Sequence, residues 1–243
     1  MSNNKEHRKI IKKASKLLGE VLDEAGVPES HGLGHALKVL ENLRQALSSN
    51  EEAESKQIDL PAERQLALQL GALLHDADDK KYFPECKNYE NAVSIMSQVL
   101  KDLDKKLAKL IKKETLEMIS YVSASDNGNT VPERALTNPE FLWVRYADRL
   151  EAIGTIGAVR CYQYNSEKGA DLCCETTPRC KSKEEVWSHV TPDRLEKYMA
   201  TKTSDSMMDH YFDKLLQIAL FDKKTVCNEW LCAEAERRVD PLL

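Results

Sequence analysis

Apolar residues recur every three or four positions along almost the whole chain, which places them on one face of an α-helix. The first such stripe consists of Ile10, Ala14, Leu17, Leu18, Val21 and Leu22. It stops before Gly26 and Pro28, residues typical of helix ends. No strand-like alternation persists for more than a few residues, and only 9 glycines and 8 prolines occur in 243 residues, of which 42% are hydrophobic. The pattern predicts an all-α fold and excludes disorder, collagen-like repeats and a turn-rich β-sandwich.

Further stripes predict where the other helices lie. We expect a second helix from about Gly34, a third opened by Pro61, and a fourth that carries Ala92 and Val99. Residues 103–124 fit either one long helix or two. Two polar segments, residues 48–58 and 125–139, have the composition of loops.

We expect a single domain over residues 1–243, with a motif core at about 30–160 and C-terminal helices at about 182–238 that pack on it. Between them, residues 165–181 form the least regular segment and predict an excursion from the core. Ser182 followed by Glu185 is a capping-box pattern, which indicates that a helix begins directly after this excursion.

Charge and cysteine content limit the partners and the compartment. Lys and Arg number 35 against 40 Asp and Glu, a net charge of −5, so we expect no nucleic-acid polymer as a partner. The chain has no apolar run of membrane-spanning length and no secretory signal at its start, which predicts a cytoplasmic protein without a membrane partner. Seven cysteines without a C-x-x-C pair fit reduced thiols. We interpret Cys173, Cys174 and Cys180 in the same way, rather than as a zinc site.

Two imidazoles and two carboxylates stand in apolar helical contexts. His75-Asp76 follows the apolar run 65–74, His35 lies near the start of another apolar helix, and Asp148 lies within the apolar stretch 141–150. A buried carboxylate is costly unless a cation compensates it, so these four residues together predict a divalent-metal site inside a helical bundle. Taken singly, each residue also has a structural interpretation: a packing histidine, a helix end, or an ion pair between Asp148 and Arg149.

The order and wording of these segments resemble the HD-domain metal-dependent phosphohydrolase superfamily, and in particular its branch with bacterial nucleotide pyrophosphohydrolases. The similar segments are HGLGHALKV at 31–39, ALLHDADDK at 72–80, YADRLEAIG at 146–154 and SMMDHYFDKL at 206–215. The resemblance therefore spans about residues 30 to 220 and implies an HD-type helical bundle. One departure is Gly32, which stands where the first motif of the family often has an aspartate.

The resemblance implies that His35, His75, Asp76 and Asp148 are the metal ligands. No histidine lies between Asp76 and Asp148, whereas two-metal members of the superfamily draw extra histidines from that interval, so we expect one metal ion. Two nitrogen and two oxygen donors suit Mn²⁺, with Mg²⁺, Co²⁺, Ni²⁺ and Fe²⁺ as alternatives.

The expected activity is hydrolysis of a phosphoanhydride or phosphate ester of a small molecule, by resemblance a nucleotide, with a metal-activated water. Asp79 is the candidate to orient that water or accept its proton, although it also fits a turn cap. Lys80, Lys81 and Arg149 are candidates to bind phosphate oxygens, and Glu151 to hold a ligand histidine.

The sequence leaves several alternatives open. A non-catalytic HD-type sensing or scaffold protein would keep the bundle without turnover, and a metal-dependent oxygenase would need further histidines. The sequence assigns no roles to His189 and His210, and it is compatible with a homo-oligomer without fixing the oligomeric state.

Overall fold

Helices form the regular secondary structure of the computed structural model, which describes residues 2–53, 58–167 and 169–243. The first half contains α1 (Ser2–Glu24), α2 (Leu33–Glu52), α3 (Ala62–Leu74), α4 (Glu90–Val99), α5 (Lys105–Ser120), α6 (Ala124–Asn127) and α7 (Glu133–Thr137). The second half contains α8 (Trp143–Ala152), α9 (Gly154–Glu167), α10 (Lys183–Ser188), α11 (Pro192–Thr201), α12 (Met207–His210), α13 (Leu216–Ile218), α14 (Lys223–Val226) and α15 (Glu229–Val239). A π-helical segment, Tyr211–Leu215, joins α12 to α13, and 3₁₀ turns cover Glu29–His31, Pro139–Leu142 and Asp240–Leu242. The predicted all-α class is confirmed.

Helix α3 is the centre of the core. Its residues Leu66, Leu68, Leu70 and Leu73 are completely buried, because α1, α2, α5 and α8 pack around it. Residues 66–68 and 70–74 are all buried, which explains why this part of the helix is almost entirely apolar. The same burial holds the end of α3, and so the residues that follow it, in a fixed position.

Helix α2 continues beyond its predicted end. Residues 48–52, which we expected to lie in a loop, form its last turn, and residues 54–57 lie outside the described residues. Asn50 is 6% exposed, and its amide side chain donates to the Ile58 carbonyl and accepts from the Ile58 amide, both at 2.9 Å. The polar composition therefore reflects a side chain that joins the helix end to the returning chain, rather than a solvated loop.

Short helices interrupt the second predicted loop. Within residues 125–139, α6 begins after Ser123, whose hydroxyl accepts from the Asp126 amide, and α7 begins after Pro132. Turn-forming residues are also favoured at the first positions of helices, so the composition alone did not distinguish a loop from short helices. The alternative of one helix in residues 103–124 is borne out by α5, which is followed by α6.

The irregular segment before α10 is fastened to the C-terminal helices. The amides of Met207 and Met208 donate to the Asp171 and Leu172 carbonyls at 3.0 Å. The Thr177 hydroxyl donates to Asp209 at 2.7 Å, and Ser182 caps α10 as predicted. Residue 168 lies outside the described residues.

The C-terminal helix α15 packs on α2 and α8, the helices that carry two of the predicted ligands. Arg238 of α15 donates to Glu151 at 2.8 Å and to Asn42 at 3.2 Å, which ties the three helices together. None of the helices in the described ranges combines the length and apolarity that a membrane crossing requires. The single-domain organisation stays a prediction.

Candidate metal centre

The four predicted ligands come from three different helices. His35 lies in the first turn of α2, Asp148 in the middle of α8, and His75 and Asp76 directly follow Leu74, the last residue of α3. Because α2 and α8 both pack against α3, residues more than a hundred positions apart meet at the end of the central helix. The first motif is placed by Gly32, the N-cap of α2, whose carbonyl accepts from the His35 amide at 3.1 Å.

The side chains of these four residues lie close to one another. The Nε2 atoms of His35 and His75 are 3.3 Å apart, and Asp148 Oδ1 lies 3.3 Å from the former and 3.5 Å from the latter. Asp76 Oδ2 lies 3.7 Å from His35 Nε2 and 3.4 Å from His75 Nε2. The donor atoms of His35, His75 and Asp148 all lie within 4.8 Å of one another, close enough to bind one ion.

The tautomer of His75 suits metal binding. Its Nδ1 lies 2.9 Å from the Ala72 carbonyl oxygen, which can only accept a hydrogen bond, so Nδ1 carries the proton. In the neutral ring, Nε2 is then an acceptor, and it points at the other three side chains. Two imidazole nitrogens that face each other beside two carboxylates make a donor set that a divalent cation fits.

Burial differs sharply within the set. The side chains of His35 and His75 are 5% and 0% exposed, whereas those of Asp76 and Asp148 are 31% and 24% exposed. The imidazoles therefore form the floor of the site, and the carboxylates form its solvent side. A structural metal site is normally closed by protein on all sides, whereas a catalytic site keeps an open position, and this one is open.

The electrostatics of the four residues are strongly coupled. Burial alone would lower the pKa of His75, but the adjacent carboxylates of Asp76 and Asp148 outweigh it and hold this pKa well above its usual range. Burial would raise the pKa values of both carboxyls, but the imidazoles hold them below their usual range. The site thus favours positive charge between its two carboxylates, which a proton or a metal ion supplies.

This coupling predicts pH-dependent metal binding. At pH 7 a metal ion must displace the proton of His75, so apparent affinity should rise about tenfold per pH unit while one proton is released. Calorimetric Mn²⁺ titrations at pH 6, 7 and 8, in buffers of different ionisation enthalpy, measure both quantities. His189→Gln, which alters a histidine lying against Phe212, is the matched control and should keep the native slope. Affinity that does not change with pH would contradict this account of the site.

Three of the predicted site residues, Asp79, Lys80 and Lys81, lie on the loop that follows α3. Asp79 follows the end of α3 in a turn, and its Oδ1 accepts from the Lys81 amide at 2.9 Å. Its Oδ2 lies 3.8 Å from Lys81 Nζ. Lys80 is exposed. The pKa of Asp126 is lowered, first by its hydrogen bond with Ser123 and then by Lys202 and the charge of Lys80, while burial opposes these effects. Both lysines therefore lie on the loop that follows His75-Asp76.

Arg149, a predicted phosphate-binding residue, has partners in a loop outside the candidate metal site. It is 2% exposed and donates to Asn129 Oδ1 at 2.9 Å and to the Gly128 carbonyl, so it holds the loop before α7. Gly128 has a φ of +52°, and a Cβ there would lie 2.6 Å from Met199 Sδ, so this loop needs glycine. A substrate phosphate would have to displace buried hydrogen bonds to reach Arg149.

Glu151 also has other partners. Its Oε1 accepts from Asn42 at 2.9 Å and from Arg238 at 2.8 Å, within the network that joins α2, α8 and α15. It therefore fixes α8 one turn beyond Asp148 and does not hold a ligand histidine. The rings of His31 and Tyr82, residues to which the sequence assigned no role, lie 5.6 Å apart, and the His31 ring lies 6.5 Å from the His35 ring. In the sequence, the one feature that pointed to His31 was its place in the motif segment 31–39.

No established family model matches the sequence. An uncharacterised protein of Acanthamoeba polyphaga mimivirus, L803, is 32% identical over 215 residues, which covers 86% of this chain and 83% of that protein. The chain belongs to the L803 family. Its fold is that of the HD superfamily.

Solved structures establish this fold. An HD-superfamily hydrolase from Bacillus thuringiensis superposes with a TM-score of 0.55 at 21% identity, over 96% of this chain and 90% of its own. A Lactobacillus plantarum protein superposes with a TM-score of 0.62 at 20% identity, over 96% and 92%. Bacillus subtilis YpgQ, solved in complex with ADP, superposes with a TM-score of 0.52 at 18% identity, over 98% and 89%.

The turn before α2 favours glycine at position 32. A Cβ at this position would lie 3.3 Å from the Pro28 carbonyl oxygen, so the aspartate that the first motif often carries would crowd the preceding turn. Gly32 caps α2 through its backbone, and His35 keeps its position without that aspartate.

Proposed function

We propose that this protein is a metal-dependent phosphohydrolase that cleaves a phosphoanhydride or phosphate ester of a nucleotide. The observation that carries this proposal is the asymmetric burial of the donor set, with imidazoles enclosed and carboxylates open to solvent. An ion held there has protein on one side and room for water and substrate on the other.

The donor set favours a borderline divalent ion, and we propose Mn²⁺. When bound, such an ion lowers the pKa of a coordinated water and offsets the charge of a phosphate oxygen. The chain supplies the rest: we propose that His35, His75, Asp76 and Asp148 hold the ion, and that Asp79, Lys80 and Lys81, on the loop after Asp76, act on the water and the phosphate. Nucleotide chemistry is supported by YpgQ, a structural neighbour that was solved with ADP.

All seven cysteines are unpaired thiols, which fits a reducing compartment such as the cytoplasm.

Asp79 is the proposed group that orients the attacking water and accepts its proton. One of its oxygens is engaged by the Lys81 amide, which fixes the plane of the carboxylate. A carboxylate held in this way and 20% exposed is restrained yet accessible. The turn cap and the catalytic role therefore do not compete, because they use different oxygens.

The proposal is tested by release of phosphate and pyrophosphate from nucleotides and small phosphate esters, with Mn²⁺, Mg²⁺, Co²⁺ or Ni²⁺ added. We expect metal-dependent turnover of at least one nucleotide, and the product identifies the bond that is cut. A protein that retains metal but releases neither product from any compound would favour the non-catalytic alternative.

Asp79→Asn separates the two roles of Asp79. Asparagine keeps an oxygen for the Lys81 amide and so preserves the turn, but it cannot accept a proton. We expect kcat to fall by roughly 10² to 10⁴-fold, while metal content and Tm stay at native values. Asp102→Asn, which makes the same change at an exposed position, is the matched control. Native kcat in Asp79→Asn would remove Asp79 from the mechanism.

A further inference from the structure

Helix α8 carries two buried arginines, Arg145 and Arg149, whose hydrogen-bond partners in the described chain are all neutral oxygens. Their exposed fractions are only 1% and 2%. Arg145 donates to the Tyr121 carbonyl and, at 2.8 Å, to the Thr130 carbonyl, while Arg149 donates to residues 128–129. Neutral acceptors position the two guanidinium groups but do not balance their charges.

Each guanidinium also has a nitrogen without a hydrogen-bond partner. Arg145 Nη2 and Arg149 Nε are both buried, and neither donates to a group in the described part of the chain. Buried N–H groups are nearly always hydrogen-bonded, and a buried charge is costly unless an opposite charge accompanies it. The two arginines therefore lack an acceptor as well as a counter-charge.

The two guanidinium groups lie side by side. Residues four apart on an α-helix are neighbours, with about 5 to 6 Å between their Cβ atoms. Both side chains also reach one loop, because their acceptors include the consecutive residues 128, 129 and 130. An ion between Arg145 and Arg149 would therefore meet two cations at once.

No charge within the described structure balances this pair. The carboxylate next to Arg149 in sequence, that of Asp148, lies 3.3 Å from His35 Nε2 at the candidate metal centre and forms no ion pair with either arginine. Loss of a proton does not remove the charges either, since arginine stays protonated in proteins at neutral pH. An anion from solution is the compensation that remains.

We propose that Arg145 and Arg149 bind a small inorganic anion, such as chloride, between α8 and the loop at residues 128–130. Charge-assisted hydrogen bonds from Arg145 Nη2 and Arg149 Nε hold the ion. The burial of both side chains favours a monatomic ion over a phosphate ester, which would have to displace the loop. This site is separate from the candidate metal centre.

The position of the anion site couples it to the stability of the whole fold. Asn129 Nδ2 donates to the Gln217 carbonyl at 3.1 Å, and the Met199 side chain lies against Gly128. The loop that the arginines hold therefore joins α8 to α11 and α13. We expect bound anion to stabilise this junction, so thermal unfolding reports on its binding.

Thermal unfolding at increasing chloride concentration tests the proposal. Gluconate, an anion too large for the site, keeps the ionic strength constant, so the screening of surface charges does not change. When chloride reaches about thirty times its Kd, the Tm of the native protein should rise by roughly 4 to 8 °C, because a ligand that binds only the folded state stabilises it. A Tm that does not depend on chloride would overturn the inference.

Arg145→Gln separates anion binding from the structural role of this side chain. The variant lacks one of the two cations, so it should lose most of the native rise of Tm with chloride, whatever its Tm in gluconate alone. A lower Tm with the full native chloride dependence would indicate a structural residue only and would also overturn the inference. Arg44→Gln, at an exposed arginine, is the matched control and should keep the native chloride dependence.

Bromide locates the ion in the native protein, whether or not Arg145→Gln folds. Bromide resembles chloride in charge and shape and scatters X-rays anomalously. Crystals grown in sodium bromide should show an anomalous peak within hydrogen-bond distance of Arg145 Nη2 and Arg149 Nε. Crystals without a peak at this position would contradict the proposal. Neither measurement uses a metal ion or a nucleotide, so the outcome is independent of the proposed phosphohydrolase function.

Discussion

Asp76→Ala should abolish both metal retention and turnover. Its Oδ2 lies 3.4 Å and 3.7 Å from the two imidazole nitrogens, on the open side of the site, where no other carboxylate than that of Asp148 faces them in the described chain. Losing it halves the negative charge available to a dication and leaves His75 with one carboxylate. We expect turnover to fall by roughly 10³-fold or more, since metal assistance supplies several kcal/mol of transition-state stabilisation. Metal content after dialysis and kcat at saturating Mn²⁺ measure the two effects.

The matched control is Asp205→Ala, which removes a carboxylate that is 62% exposed and paired with Lys197. It should keep the native metal content and rate. Restored turnover of Asp76→Ala at high Mn²⁺ would mean that Asp76 contributes to affinity alone. Full metal content together with the full native rate in Asp76→Ala would remove it from the site altogether.

The sequence singled out the candidate metal site because its carboxylates occur in an unusual context. Asp76 comes directly after an apolar helix and Asp148 lies within one, positions where a charge is costly without a compensating cation. The helical stripes gave the fold class for a similar reason, since periodicity records which face of each helix is buried. Neither signal depends on knowing which helices are neighbours.

Arg149 shows what adjacency in sequence leaves open. It is adjacent to Asp148 in sequence, but consecutive residues on an α-helix point about 100° apart. When Asp148 faces the metal site, Arg149 faces the core, where it binds the loop at Gly128. Glu151 is one turn from Asp148 and lies near the same face, yet Asn42 and Arg238 engage it. Those partners lie more than eighty residues away, and no local pattern reveals them.

Arg64→Met should destabilise the protein more than any surface substitution. At the start of α3, the Arg64 guanidinium donates to both oxygens of Glu114 at 2.7 Å and also to Glu140. The side chains of these acids are only 6% and 3% exposed, and Arg64 also lies 4.7 Å over the Phe141 ring. Breaking a buried ion pair from one side costs about 3 to 5 kcal/mol, because it leaves buried charges unpaired. In a chain of this size, that cost lowers Tm by roughly 10 °C.

Two further substitutions separate the cost of unpaired charges in Arg64→Met from the cost of lost packing. Adding Glu114→Gln and Glu140→Gln to Arg64→Met removes the unpaired charges and should recover much of the free energy of unfolding. Arg44→Met, at an exposed arginine, is the control and should melt like the native protein. Since α3 separates Arg64 from His75 by about 16 Å, Arg64→Met should still bind Mn²⁺ below its Tm. A loss of less than about 1 kcal/mol would mean that Arg134, 3.9 Å from Glu114, suffices to compensate the pair.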